Sequence, residues 1–147
     1  MWSKKRIVWF VLMIATMAVI FYFSNQTGEV SKEVGSSVAE TMNIVKTNDK
    51  SDASQTLLLF GLNLRKWAHV WLYGILGLTV YEWMLSTPKA IVLCFGYSIF
   101  DELHQHLVPG REAKLMDVLI DVVGFGMVIL LADICRRIHK RMTRNGV

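Results

Sequence analysis

The chain has 147 residues, of which 53% are hydrophobic and 19% charged, and its formal net charge is +4; ordinary globular proteins run at roughly 45–50% and about 25%. Such a wealth of apolar residues excludes intrinsic disorder, and two cysteines exclude a disulfide-stapled scaffold. A buried helical protein or a polytopic membrane protein remains, and the placement of the charges decides between them.

The first apolar run, Ile7 to Phe23, holds no charge and directly follows Lys4, Lys5 and Arg6. At 1.5 Å per residue it reaches about 26 Å, close to the roughly 30 Å hydrocarbon core of a bilayer. A basic start before an apolar run also describes a signal peptide. This run is longer and bulkier than that, and no small-x-small cleavage site follows Phe23, so a retained helix over about 6–25 is expected. Residues 28–56 have no sustained apolar face and read as a polar external loop. Within it Val34, Val38, Met42 and Val45 recur at helical spacing, which suggests a short amphipathic helix around 30–45. Leu57–Leu62 is apolar but short, suited to the outer interface or to a re-entrant piece.

A second helix is expected over 64–84, opened by Arg65 and Lys66 and interrupted by His69 and Glu82. A third, over 89–106, is apolar from Ala90 to Phe100 and then carries Asp101 and Glu102. It spans only if those charges turn into a bundle. Pro88 breaks the chain between the two. The fourth, over 116–136, is interrupted by Asp121 and Asp133 and ends in a basic tail, 136–147. A soluble four-helix bundle would need polar stripes opposite apolar ones. Ile7–Phe23 and Val122–Ala132 have none, so the expected fold is all-α, a single membrane domain of four transmembrane helices.

Lys and Arg near helix ends set orientation. Lys4, Lys5 and Arg6 precede the first helix, and Arg136, Arg137, Lys140, Arg141 and Arg144 follow the fourth. Both termini are therefore expected in the cytoplasm, against an anionic inner leaflet. The positive charge is thereby accounted for without a nucleic-acid partner. The outer ends of helices two, three and four then converge at one membrane level. Lys66, His69 and Tyr73 share a stripe of helix two. Asp101 and Gln105 are four apart on helix three, as are Asp117 and Asp121 on helix four, where Gly124 and Gly126 permit close helix approach. Charges in a bilayer pair or face water, so Arg65, Lys66 and Arg111 are set against Asp101, Glu102, Asp117 and Asp121. Such pairs can also serve only to fix helix register; their number here exceeds that need.

The runs RKWAHVWLYGILG and FDELHQHLVPGREAKLMDVLIDVVGFG, together with FYFSNQ at the end of helix one, resemble the VanZ-like membrane protein family. That family opens one helix with a basic residue and His, here Lys66 and His69. It ends the next with D-E-x-x-Q, here Asp101, Glu102 and Gln105. It places P-G-R before an Asp-led last helix, here Pro109, Gly110, Arg111 and Asp117. A small polar residue usual one turn later is here Asp121, a departure that adds charge. The resemblance covers nearly the whole chain apart from 28–56 and the basic tail. It implies a four-helix integral membrane protein. The family's namesake lowers susceptibility to teicoplanin, which makes a contribution to glycopeptide resistance the implied phenotype, in a family broad enough that no single chain is tied to it.

Three functions fit the cluster. An enzyme acting on an outer-leaflet head group, such as a lipid-linked cell-wall precursor, would use Lys66, His69, Asp101, Glu102, Gln105 and Asp117 for chemistry. Arg65, Arg111, Tyr73 and Asp121 would hold the ligand. A non-catalytic binder or shield would use the same residues. A small transporter subunit would need an oligomer, because no charge lies between Tyr73 and Glu82 or over Val122–Ala132. Whether the chain is an enzyme stays open at this point. No cofactor is expected. Metal chemistry would draw on His69, His104 or His106, but His104 and His106 are two apart and face different ways. Membrane lipids or a lipid-linked precursor are the expected partners, with an oligomer allowed. His104 is expected at the external interface, His139 in the tail, and both cysteines as buried thiols.

Overall fold

A computed structural model describes residues 3–25, 50–108 and 115–144, with the side chains of the second helix described from Lys66 onward. The described residues form four helices and no strand: α1 (Lys4–Ser24), α2 (Lys50–Met84), α3 (Thr87–His106) and α4 (Leu115–Arg144).

Ser3 starts α1, its side chain accepting from the Arg6 backbone N–H. Only Leu85 and Ser86 separate α2 from α3. Leu85 adopts φ 54°, the left-handed conformation that closes many helices, and its N–H donates to Tyr81 O at 2.7 Å. Pro88 then occupies the first turn of α3, where a missing N–H costs nothing. The start of α2 differs from expectation. Lys50–Thr56, placed by its polarity in the loop, is helical, and Leu57–Leu62 lies inside the same unbroken helix. No proline interrupts the stretch, and its single Gly61 is tolerated. The amphipathic helix expected around 30–45 falls outside the described residues. At its other limit α4 runs on through the basic tail to Arg144.

The helices alternate in direction. Arg6 Nε donates to Trp83 O at 3.3 Å, so α1 begins where α2 ends, and Phe10 packs on Trp83. Tyr97 donates to Met17 O at 2.7 Å, joining α3 to the middle of α1. The closest pair is α2 and α4. A Cβ on Gly124 would lie 2.6 Å from Val70 O, and one on Gly77 would lie 2.9 Å from the Phe125 backbone. Both positions therefore require glycine. Gly126, expected to share this role, has nothing within 4 Å of a built Cβ.

α1 and α4 are each long and apolar enough to cross a bilayer. α2 and α3 are more polar in composition because Trp, Tyr, His and acidic residues interrupt them. The surface carries many large apolar side chains while several polar ones are buried. Val11, Trp71, Leu103 and Leu119 are more than half exposed, while Ser24, Ser98, Asp101, Gln105 and Asp121 are at most 1% exposed. Apolar surface this continuous, wrapped around ionisable side chains, is consistent with a bundle solvated by lipid. Below the polar residues lies an apolar layer containing Leu76, Val80, Cys94, Phe125 and Ile129. Cys94 is buried as expected; Cys135 is exposed.

Candidate functional site

α3 supplies the spine of the site. Ser98, Asp101 and Gln105 follow one another at i, i+3 and i+7, which places them on one face of the helix. All three are buried. The last residue of α1, Ser24, is brought against this face. Its hydroxyl donates to Asp101 Oδ2 at 2.9 Å, while Gln105 Nε2 donates to the same Oδ2 at 2.9 Å and to Ser24 Oγ at 3.1 Å. Asp101 is thus held by a hydroxyl and an amide.

A second carboxylate enters from α4. Asp121 is fully buried; its Oδ2 accepts from Ser98 Oγ at 2.8 Å, and its Oδ1 lies 3.2 Å from His69 Nδ1 on α2. With Asp121 ionised its carboxylate can only accept, and Nδ1 then carries the proton. The other ring nitrogen, Nε2, has no hydrogen-bond partner among the described residues, and the His69 side chain keeps 15% exposure. The ring stacks on Tyr73, centroids 6.1 Å apart and 14° from parallel. Asp121, itself held by Ser98, fixes one side of the imidazole. Carboxylate–histidine pairs of this kind fix tautomer and orientation for proton transfer.

Tyr73 joins the two halves. Its hydroxyl is within electrostatic reach of both Asp101 and Asp121. Among the described residues neither this hydroxyl nor Asp101 Oδ1, both buried, has a hydrogen-bond partner. Glu102 is buried on the same helix turn. Asp117 is half-buried in the first turn of α4, where a negative charge suits the helix dipole. Lys66, one turn outward from His69, is exposed, and His106 is exposed as well. The side chain of Arg65, and Arg111 altogether, lie outside the described residues.

The structure therefore brings together His69, Tyr73, Asp101, Gln105 and Asp121. Among the described residues Asp101 and Asp121 are met by Ser24, Ser98, Gln105 and His69, and Lys66 lies out on the surface. Two contributors were missing from the expected set. Ser98 carried a usable signal, since it falls on the Asp101–Gln105 stripe. Ser24 carried none beyond its place in FYFSNQ, because nothing in one helix states which residue of another it will meet. His104 stacks on Phe21 at 4.5 Å, and its buried Nε2 has no hydrogen-bond partner among the described residues.

Residues 9–136 match the VanZ/LLP1 family model. The chain belongs to the VanZ/LLP1 family. The matched region runs from the first helix through the start of the basic tail, so every residue of the VanZ-like site described above lies inside it. No curated protein and no solved structure gives a significant match.

Proposed function

We propose that this VanZ-like protein spans the membrane four times with both termini in the cytoplasm, and that its outer-end site binds and acts on an envelope-lipid head group or lipid-linked cell-wall precursor. The His69–Asp121–Ser98 arrangement carries this reading. It holds an imidazole by Nδ1 and leaves Nε2 open, at the end of the bundle opposite the basic one. Nε2 is placed to take a proton from a hydroxyl, with the charge that develops on the ring stabilised by Asp121. Lys66, exposed one turn outward, supplies a cation for a phosphate or carboxylate of the ligand. A modified precursor at the outer face would alter glycopeptide susceptibility, which makes teicoplanin response the phenotype to measure.

The test is mass spectrometry of membrane lipids and cell-wall precursors from cells with the protein, without it, and with His69→Ala. A species that changes with the protein and reverts in the variant names the substrate. Identical profiles in all three sink the enzymatic reading. A second reading is favoured by Asp101, whose bonds to Ser24 and Gln105 tie α1 to α3: a ligand-binding or purely scaffolding network. Alanine at His69 and Glu102 would then weaken binding or accumulation without changing any lipid species. The apolar layer of Leu76, Val80, Phe125 and Ile129 below the site argues against a transport pathway through one copy.

A further inference from the structure

The end of the molecule opposite His69 holds an accumulation of charge that the outer site does not use. Lys4, Lys5 and Arg6 open α1, all exposed. From Ile134 to Arg144, α4 carries basic residues and no carboxylate. The two acids of this end are engaged: Glu82 pairs with Arg136 at 3.2 Å, and Asp133 takes Arg137 at 2.8 Å and the Tyr81 hydroxyl at 3.0 Å. Lys140, Arg141 and Arg144 have no ion pair among the described residues.

Helix length fixes the depth of these cations. The 30 residues of α4 make about 45 Å, whereas the hydrocarbon core is about 30 Å thick and the whole bilayer with its head groups about 40–45 Å. With Leu115 at the outer boundary, the last turns lie at head-group depth. There Ile134, Ile138 and Met142 follow at i, i+4 and i+8, each half exposed at 50%, 51% and 50%. Arg137, Arg141 and Arg144 border that stripe along one edge. Water penalises the stripe and hydrocarbon penalises the arginines; the interfacial layer satisfies both. A second copy of this surface would set like charges against each other.

We propose that the C-terminal turns of α4, together with the start of α1, form a binding surface for the phosphate groups of anionic phospholipids in the leaflet on the side of both termini. The guanidinium groups take phosphate oxygens in pairs, and Ile138 and Met142 rest on the upper acyl chains. The surface stands independently of the His69 reading, since no residue is shared.

The full chain in detergent is titrated with short-chain phosphatidylglycerol, phosphatidylcholine and inorganic phosphate, and binding is followed by native mass spectrometry. Phosphatidylglycerol is expected to bind preferentially. The preference should vanish at high salt and weaken on the order of 100-fold in Lys140→Gln/Arg141→Gln/Arg144→Gln, while Arg141→Lys keeps most of it. If the triple variant does not fold, Arg144→Gln and the salt titration of the wild type give the same decision. Equal binding of both lipids, a preference indifferent to salt and to the variants, or full competition by inorganic phosphate at equal concentration overturns the proposal.

Discussion

At His69 a single side chain combines two environments. Nδ1 is fixed 3.2 Å from a fully buried carboxylate, and Nε2 has no hydrogen-bond partner among the described residues. Asp121→Asn keeps the shape of that contact but removes the charge and lets the ring take either tautomer. In ¹⁵N spectra of the ring, the wild type is expected to show a single tautomer with the proton on Nδ1, and the variant a mixture. Any lipid turnover should fall steeply in the variant, by up to about 10⁴-fold if it behaves as other histidines deprived of their carboxylate. An unchanged tautomer would remove Asp121 from the role of orienting residue. Ser98→Ala is the milder change. It deletes one hydrogen bond to the same buried carboxylate and should cost about 1.5–3 kcal/mol of stability, read from thermal unfolding in detergent, with the Nδ1 tautomer preserved.

At the scale of elements, the contact of α2 with α4 sets the geometry of the site, because His69 is on one helix and Asp121 on the other. Gly124 makes that contact possible: the Cβ of an alanine would lie 2.6 Å from Val70 O. Gly124→Ala should therefore push the helices apart and lower the melting temperature sharply, with loss of the His69–Asp121 bond. Gly126→Ala, which meets open space, should leave the melting temperature unchanged or slightly raised. Equal effects would show that neither glycine is set by helix approach. α1, α3 and α4 were legible in the sequence to within a turn or so at most of their ends, since an apolar run around a whole circumference and a proline at a helix start are local signals. The extension of α2 back to Lys50 was not, because Lys50–Thr56 offers no apolar face. The choice of Gly124 over Gly126 for the crossing depends on helix rotation, which neither residue's position in the chain reveals.

For the molecule as a whole, two polar layers flank an apolar one. The layer around His69 is legible as a convergence of charges once the helices alternate in direction. Among the described residues its carboxylates Asp101 and Asp121 are met by hydroxyls, an amide and an imidazole, partners that the charges in the sequence do not name. The inner layer, Tyr81 with Asp133 and Glu82 with Arg136, passed unread because Glu82 and Asp133 stood in the sequence only as interruptions of apolar runs. The proposed orientation predicts that a reporter at Asn48 is reached by impermeant reagents from outside and one at Val147 only after permeabilisation. The same side for both would move the His69 site to the cytoplasm.

The two-residue link at Leu85–Ser86 bears on how the protein is made. In the proposed four-span topology α2 and α3 enter the bilayer nearly as one hairpin, after Ser24 has been synthesised. Asp101 can therefore find Ser24 and Gln105 as soon as α3 enters the bilayer. Asp121 reaches His69 and Ser98 only from α4, so on that order of synthesis the candidate catalytic pair closes after the Ser24–Asp101–Gln105 bonds, and a chain halted before Leu115 would lack the carboxylate that orients its imidazole.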